Sequence, residues 1–132
     1  MVGTSSPPVS ERHRILLVED DESIRDAFTE LLEYEGYALT AYDNGERALE
    51  ALQEGPMPEL ILLDMMMPLM GGLLFLEHLR AEPAWRPLPV IVVSATEQEA
   101  PEGVLAFIKK PFEPSVLLRL LEHYFQRTQA VR

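Results

Sequence analysis

A chain of 132 residues fits one domain, and 47% hydrophobic with 25% charged residues suits a globular fold with a proper core. Its 22 acidic and 11 basic residues leave a formal net charge of -11, a surface that repels phosphate backbones and argues against direct nucleic-acid binding. Cysteine is absent, which excludes disulfides and thiolate metal sites; no apolar run nears the roughly 20 residues of a membrane span, and no secretory signal pattern opens the chain. A cytoplasmic location is expected.

Residues 1–12 are rich in Ser, Pro and Gly and read as a disordered tail. From there the pattern alternates between two periods. Residues 15–18 are a short apolar run of the kind buried on both faces of a sheet. Ile24, Ala27, Phe28, Leu31 and Leu32 then recur at helical spacing, up to a stop at Gly36. Residues 38–42 form a second candidate strand. Asp43 followed by Glu46 resembles a capping box, opening a helix whose inner face carries Ala48, Leu49 and Leu52. Pro56 and Pro58 punctuate before residues 60–63, the clearest strand.

Leu73, Leu76, Leu79 and Arg80 belong to a third helix that begins near Gly72 and is closed by Pro83. Residues 90–93 make a fourth strand and residues 104–108 a weaker fifth. Pro114 suits a first helical turn, and Leu117, Leu120, Leu121, Tyr124 and Phe125 mark the last helix. Strands alternating with helices imply βαβ units, hence an α/β doubly wound five-stranded parallel sheet covered on both sides. The expected layout is a tail over 1–12, a single domain over 13–127 and a short tail over 128–132, with no output domain following.

In such sheets ligands bind beyond the carboxyl ends of the strands. The first strand delivers Glu19, Asp20 and Asp21 there, the third Asp64, the fourth Ser94, and the fifth Lys109 and Lys110. Clustered Glu19, Asp20 and Asp64 repel one another, and a small hard cation with oxygen ligands, Mg²⁺ foremost, relieves the repulsion. Lys110 brings the formal sum near zero. A phosphoryl group on Asp64 would have the metal, Lys110 and the Ser94 hydroxyl on its three oxygens, the arrangement phosphoryl transfer needs. Asp21 and Glu22 suit the start of the first helix, and Lys109 reads as a solvated neighbour. Met65, Met66 and Met67 are expected to pack in the core. His13, His78 and His123 are expected at the surface, and Trp85 as a lid over the core edge.

Residues 15–25 (Ile-Leu-Leu-Val-Glu-Asp-Asp-Glu-Ser-Ile-Arg), 60–68 (Leu-Ile-Leu-Leu-Asp-Met-Met-Met-Pro), 89–95 (Pro-Val-Ile-Val-Val-Ser-Ala) and 107–112 (Phe-Ile-Lys-Lys-Pro-Phe) resemble the four signature blocks of response-regulator receiver domains. They occur in the right order across residues 13–127. The resemblance implies a flavodoxin-like receiver fold and an aspartyl phosphate at Asp64, supplied by a histidine kinase or phosphotransfer protein. It implies Mg²⁺ held by Asp20, Asp64 and the backbone carbonyl of Met66, with Glu19 acting through water. Ser94 and Lys110 match the family's hydroxyl and lysine, and the Lys110–Pro111 bond its cis peptide. The implied protein is no enzyme but a stand-alone response regulator that signals through protein contacts, as a monomer or weak homodimer, to an unspecified downstream protein.

Three departures from the family pattern stand out. Gly71 replaces a common aspartate, and Phe107 takes the place of a switch residue that is often tyrosine. Only 15 residues separate Ser94 from Lys110, roughly one and a half helical turns fewer than in most receivers. Residues 96–103 contain Pro101 and Gly103 and almost no apolar face, so the fourth helix is expected to be shortened or missing. That shortening suits a rival reading, a phosphorylation-independent interaction module on the same fold. An aspartate-nucleophile phosphatase needs a second acid soon after the nucleophile, and Asp64 is followed by three methionines.

Overall fold

The computed structural model describes Pro8 and residues 11–67, 70–95 and 100–130, with side chains through residue 126. Most of the expected tail over 1–12 therefore lies outside the described residues. Five strands, β1 (Arg14–Val18), β2 (Ala38–Tyr42), β3 (Leu60–Asp64), β4 (Val90–Ser94) and β5 (Ala106–Lys109), form one sheet in the order β2-β1-β3-β4-β5. Every pairing is parallel. Four helices connect or follow them: α1 (Glu22–Tyr34), α2 (Gly45–Glu54), α3 (Gly72–Ala81) and α4 (Pro114–Ala130). Helical backbone thus continues into the 128–132 stretch as far as Ala130. The alternating pattern implies a doubly wound parallel sheet, and the strand order makes it the flavodoxin-like one that the resemblance implies.

Alternate residues of the inner strands serve opposite cores. Ile15, Leu17, Leu60, Leu62, Ile91 and Val93 pack with Phe28 and Leu32 of α1 and Leu117, Leu121 and Phe125 of α4. Leu16, Val18, Ile61, Leu63, Val90 and Val92 pack with Ala48 and Leu52 of α2 and Phe75, Leu76 and Leu79 of α3. Strands buried on both faces need apolar residues at both phases, which is why β1, β3 and β4 read as unbroken aliphatic runs. Trp85 is buried in the α2–α3 core, as a lid over its edge should be.

Helix starts follow local chemistry. Asp21 caps α1, its side chain accepting from the Ile24 N–H, and Gly36 follows the helix at φ +97°. At α2 the expected capping box is not what forms. Asn44, not Asp43, is the cap and accepts from the Arg47 N–H. Asp43 instead accepts from the Asn44 side-chain amide at 3.2 Å and faces the Arg47 guanidinium at 3.6 Å. Both residue types cap well, and the chain direction entering the helix selects between them.

The other correction at this level is His13. Expected at the surface, it is half-buried, stacked on Phe125 with centroids 4.0 Å apart, and its Nδ1 lies 2.9 Å from Glu59 Oε2. It ties the start of β1 to α4 and to the residue preceding β3. His78 and His123 are exposed.

Among the described residues no helix stands between β4 and β5, which leaves four helices where five would alternate with five strands. Residues 96–99 lie outside the described residues. The described part of the connection turns at Glu102 and Gly103, with Gly103 at φ +79°. The Arg80 guanidinium of α3 donates to the Glu102 carbonyl, and the Leu105 N–H donates to the Val90 carbonyl at 2.8 Å.

Candidate functional site

The chain leaves β1 toward β2 on one side and returns to β3 on the other, so the switch point of the sheet lies between β1 and β3. Register decides what meets there. Val18 pairs with Leu63, Asp64 with Val93, and Ser94 with Lys109. Glu19, Asp64 and Ser94, one step past their apolar runs, and Lys110, two steps past Ile108, therefore come to a single edge of the sheet.

Their burial is unusual for polar side chains. Glu19 is 1% exposed, Asp64 3% and Ser94 0%, while Asp20 is exposed. Carboxylate oxygens of Glu19, Asp20 and Asp64 all lie within 4.8 Å of one another. The Lys110 ammonium sits 3.2 Å from Glu19 Oε1 and 3.9 Å from Asp64 Oδ1. Glu19 Oε2 accepts from the Asp21 N–H at 3.2 Å, and Asp64 Oδ1 accepts from the Met66 N–H at 3.2 Å. The Lys110 N–H donates to the Ser94 carbonyl at 2.8 Å, and the Lys110–Pro111 peptide is cis, as the family resemblance implies.

Burial above all, with help from the neighbouring Glu19 charge, pushes Asp64 up to about 7; the Met66 N–H and the Lys110 ammonium pull the other way. One lysine does not balance three acids, so the protein groups alone leave negative charge at this edge. An all-oxygen donor set within 4.8 Å fits a small hard divalent cation.

The methionines divide. Met65 is buried against the α2–α3 core and Met67 packs partly against it, but Met66 is 57% exposed. The expectation that all three belong to the core is therefore corrected: β3 ends at Asp64, and the turn that follows points the Met66 side chain outward. Lys109 is exposed. Arg25 is the residue that strand-end logic missed. Its guanidinium donates to the carbonyls of Glu19 at 3.0 Å and Asp20 at 3.2 Å. The available signal was a cation near the positive end of α1, five residues after Asp20, where helix electrostatics disfavours it.

The fold and this edge define a doubly wound α/β domain with a buried acid cluster at its switch point. A family model described as the response regulator receiver domain matches residues 15–122, and the chain belongs to that family. The phosphate regulon transcriptional regulatory protein PhoB of Escherichia coli is 34% identical over 120 residues, 86% of this chain and 52% of that protein. The chain thus spans about half the length of the curated relatives it matches first. An uncharacterized 14.6 kDa protein of Leptolyngbya boryana is 34% identical over 83% of this chain and 88% of its own length. Among solved structures, chemotaxis protein CheY4 of Vibrio cholerae superposes with a TM-score of 0.75 at 27% identity, over 85% of this chain and 98% of that one. No helix among the described residues is long and apolar enough to cross a membrane.

Proposed function

We propose that this receiver domain accepts a phosphoryl group on Asp64 from the phosphohistidine of a histidine kinase or phosphotransfer protein. The observation that carries the reading is a buried aspartate sharing one edge with two further acids and a lysine. A carboxylate oxygen of Asp64 attacks phosphorus, the N–P bond of the donor breaks, and the imidazole leaves with its electron pair. Lys110 stabilises charge on one phosphoryl oxygen and the Ser94 hydroxyl donates to another. Glu19, Asp20, Asp64 and the carbonyl of Met66 would hold Mg²⁺, which when bound neutralises charge on the acids and the phosphoryl oxygens. The domain then signals by altered protein contacts as Ser94 moves toward the new oxyanion and Phe107 turns inward.

The stand-alone, cytoplasmic reading belongs to the same proposal. The charge of -11 favours protein partners over nucleic acid for these residues. Incubation with a small phosphodonor and Mg²⁺, followed by intact-mass measurement, tests the chemistry. The wild type gains one phosphoryl mass and Asp64→Asn does not. An adduct on neither protein, with small donors and kinases alike, favours the phosphorylation-independent module, which the short stretch between Ser94 and Lys110 also suits.

A further inference from the structure

Arg25 is the fourth residue of α1, whose first turn opens with Glu22 behind the Asp21 cap. A cation there faces the positive end of the helix dipole, so the location is unfavourable unless acceptors close by offset it. Two do. One Nη1 nitrogen reaches both the Glu19 carbonyl and the Asp20 carbonyl, and the arginine is half-buried in doing so. These carbonyls belong to the two residues whose carboxylates approach Asp64. From the other side, the Asp21 N–H fastens the Glu19 carboxylate. The 19–21 turn is thus gripped at its backbone by a side chain and at its side chain by a backbone amide.

We propose that Arg25 is a positioning residue for the acidic edge. It holds the two peptides of the turn so that Glu19 and Asp20 aim at Asp64, and thereby sets the edge's affinity for a divalent cation. The proposal rests on the reading of that edge as a cation site. Its rival is a purely architectural role in seating α1.

Arg25→Met keeps the side-chain length and removes the donors; Arg25→Lys keeps the charge without the planar fork. Two measurements on the full chain separate the possibilities: Mg²⁺ titration by calorimetry, and amide exchange at Asp21 and Leu62 in chelator. Arg25→Met is expected to bind Mg²⁺ about tenfold more weakly, with Arg25→Lys in between, and to speed exchange at Asp21 but not at Leu62 in the central strand. Equal Mg²⁺ affinity in wild type and Arg25→Met overturns the proposal while leaving the cation site standing. A wild type that binds no Mg²⁺ overturns the cation reading instead, and Asp21 exchange then decides positioning alone: an unchanged rate overturns it. Equal acceleration at Asp21 and Leu62 marks general loss of stability and also overturns it. Should Arg25→Met fail to fold, wild-type Mg²⁺ affinity in Arg25→Lys serves as the overturning result.

Discussion

The two faces of the sheet are not covered alike. On one, α1 and α4 lie over the strands, and Ile108 of β5 is 6% exposed beneath them. On the other, α2 and α3 cover β1, β3 and part of β4, and no helix among the described residues reaches over β5. Phe107, one residue from Ile108 on the same strand, is only partly buried there, and the adjacent Leu105 is 45% exposed. The acid edge is nevertheless assembled, because it depends on strand register and not on which helices cover the faces. The β4–β5 connection, which carries no helix among the described residues, borders the surface beside β5 instead.

The sharpest way to break this comparison is to truncate the two neighbours on β5. Ile108→Ala empties a well-covered site and is expected to destabilise the fold by about 3 kcal/mol. Phe107→Ala removes a larger side chain, yet should cost only about 1–2 kcal/mol, because Phe107 is only partly buried against the α2–α3 core. Urea unfolding of both variants measures the ranking. A loss from Phe107→Ala equal to or above that from Ile108→Ala would show the second face to be as closed as the first.

The edge between the faces carries its own signature in pH. Asp64 is raised to about 7, whereas an unfolded aspartate titrates near 3.9. Between those values the folded state holds a proton the unfolded state has lost, so stability falls as pH rises through the window and levels off above it. Asp64→Asn removes that dependence. In chelator at pH 8 it should be more stable than wild type, on the order of 2 kcal/mol, with the gap vanishing near pH 4. Added Mg²⁺ should narrow the gap by stabilising only the wild type. Thermal melts across the range give the answer, and a gap of constant size from pH 4 to 8 would remove Asp64 as the titrating group.

Much of this edge was legible because every inner strand is an aliphatic run ending in a polar residue. Glu19, Asp64, Ser94 and Lys110 could be placed by counting past Val18, Leu63, Val93 and Ile108. The start of β5 was less so: an apolar stretch from Val104 suggested a strand two residues earlier than Ala106, but the left-handed turn at Gly103 delays pairing. The Asn44 cap escaped because adjacent Asp and Asn are equally able caps, and only the path of the chain chooses. His13 and Arg25 escaped for a different reason. Their partners, Phe125 and Glu59 for one and backbone carbonyls for the other, leave no periodic trace in the sequence.

A smaller effect probes the described part of the connection between β4 and β5. Arg80 reaches from α3 to the Glu102 carbonyl, and its own carbonyl accepts from Arg86 Nε at 2.9 Å. Arg80→Ala should lose about 1 kcal/mol and should do so locally. Amide exchange at Leu105, whose N–H bonds Val90, is expected to rise while Phe75 within α3 keeps its protection. Parallel loss at both positions would mean that Arg80 supports α3 itself and not the connection.

The smallest effect concerns Gly71, where α3 begins without any side-chain cap. Its backbone, at φ -68° and ψ 167°, suits any residue, and an added Cβ meets nothing within 4 Å. Gly71→Ala restricts the unfolded chain but places a poor residue at the cap, and these contributions nearly cancel. Gly71→Ser restricts the chain equally and adds an oxygen for a first-turn N–H, so it should gain about 0.5 kcal/mol over Gly71→Ala. The urea midpoints of the two variants carry the test. If serine proves no better than alanine, the first turn of α3 already has its N–H groups satisfied, and the break in the family pattern at Gly71 costs the fold nothing.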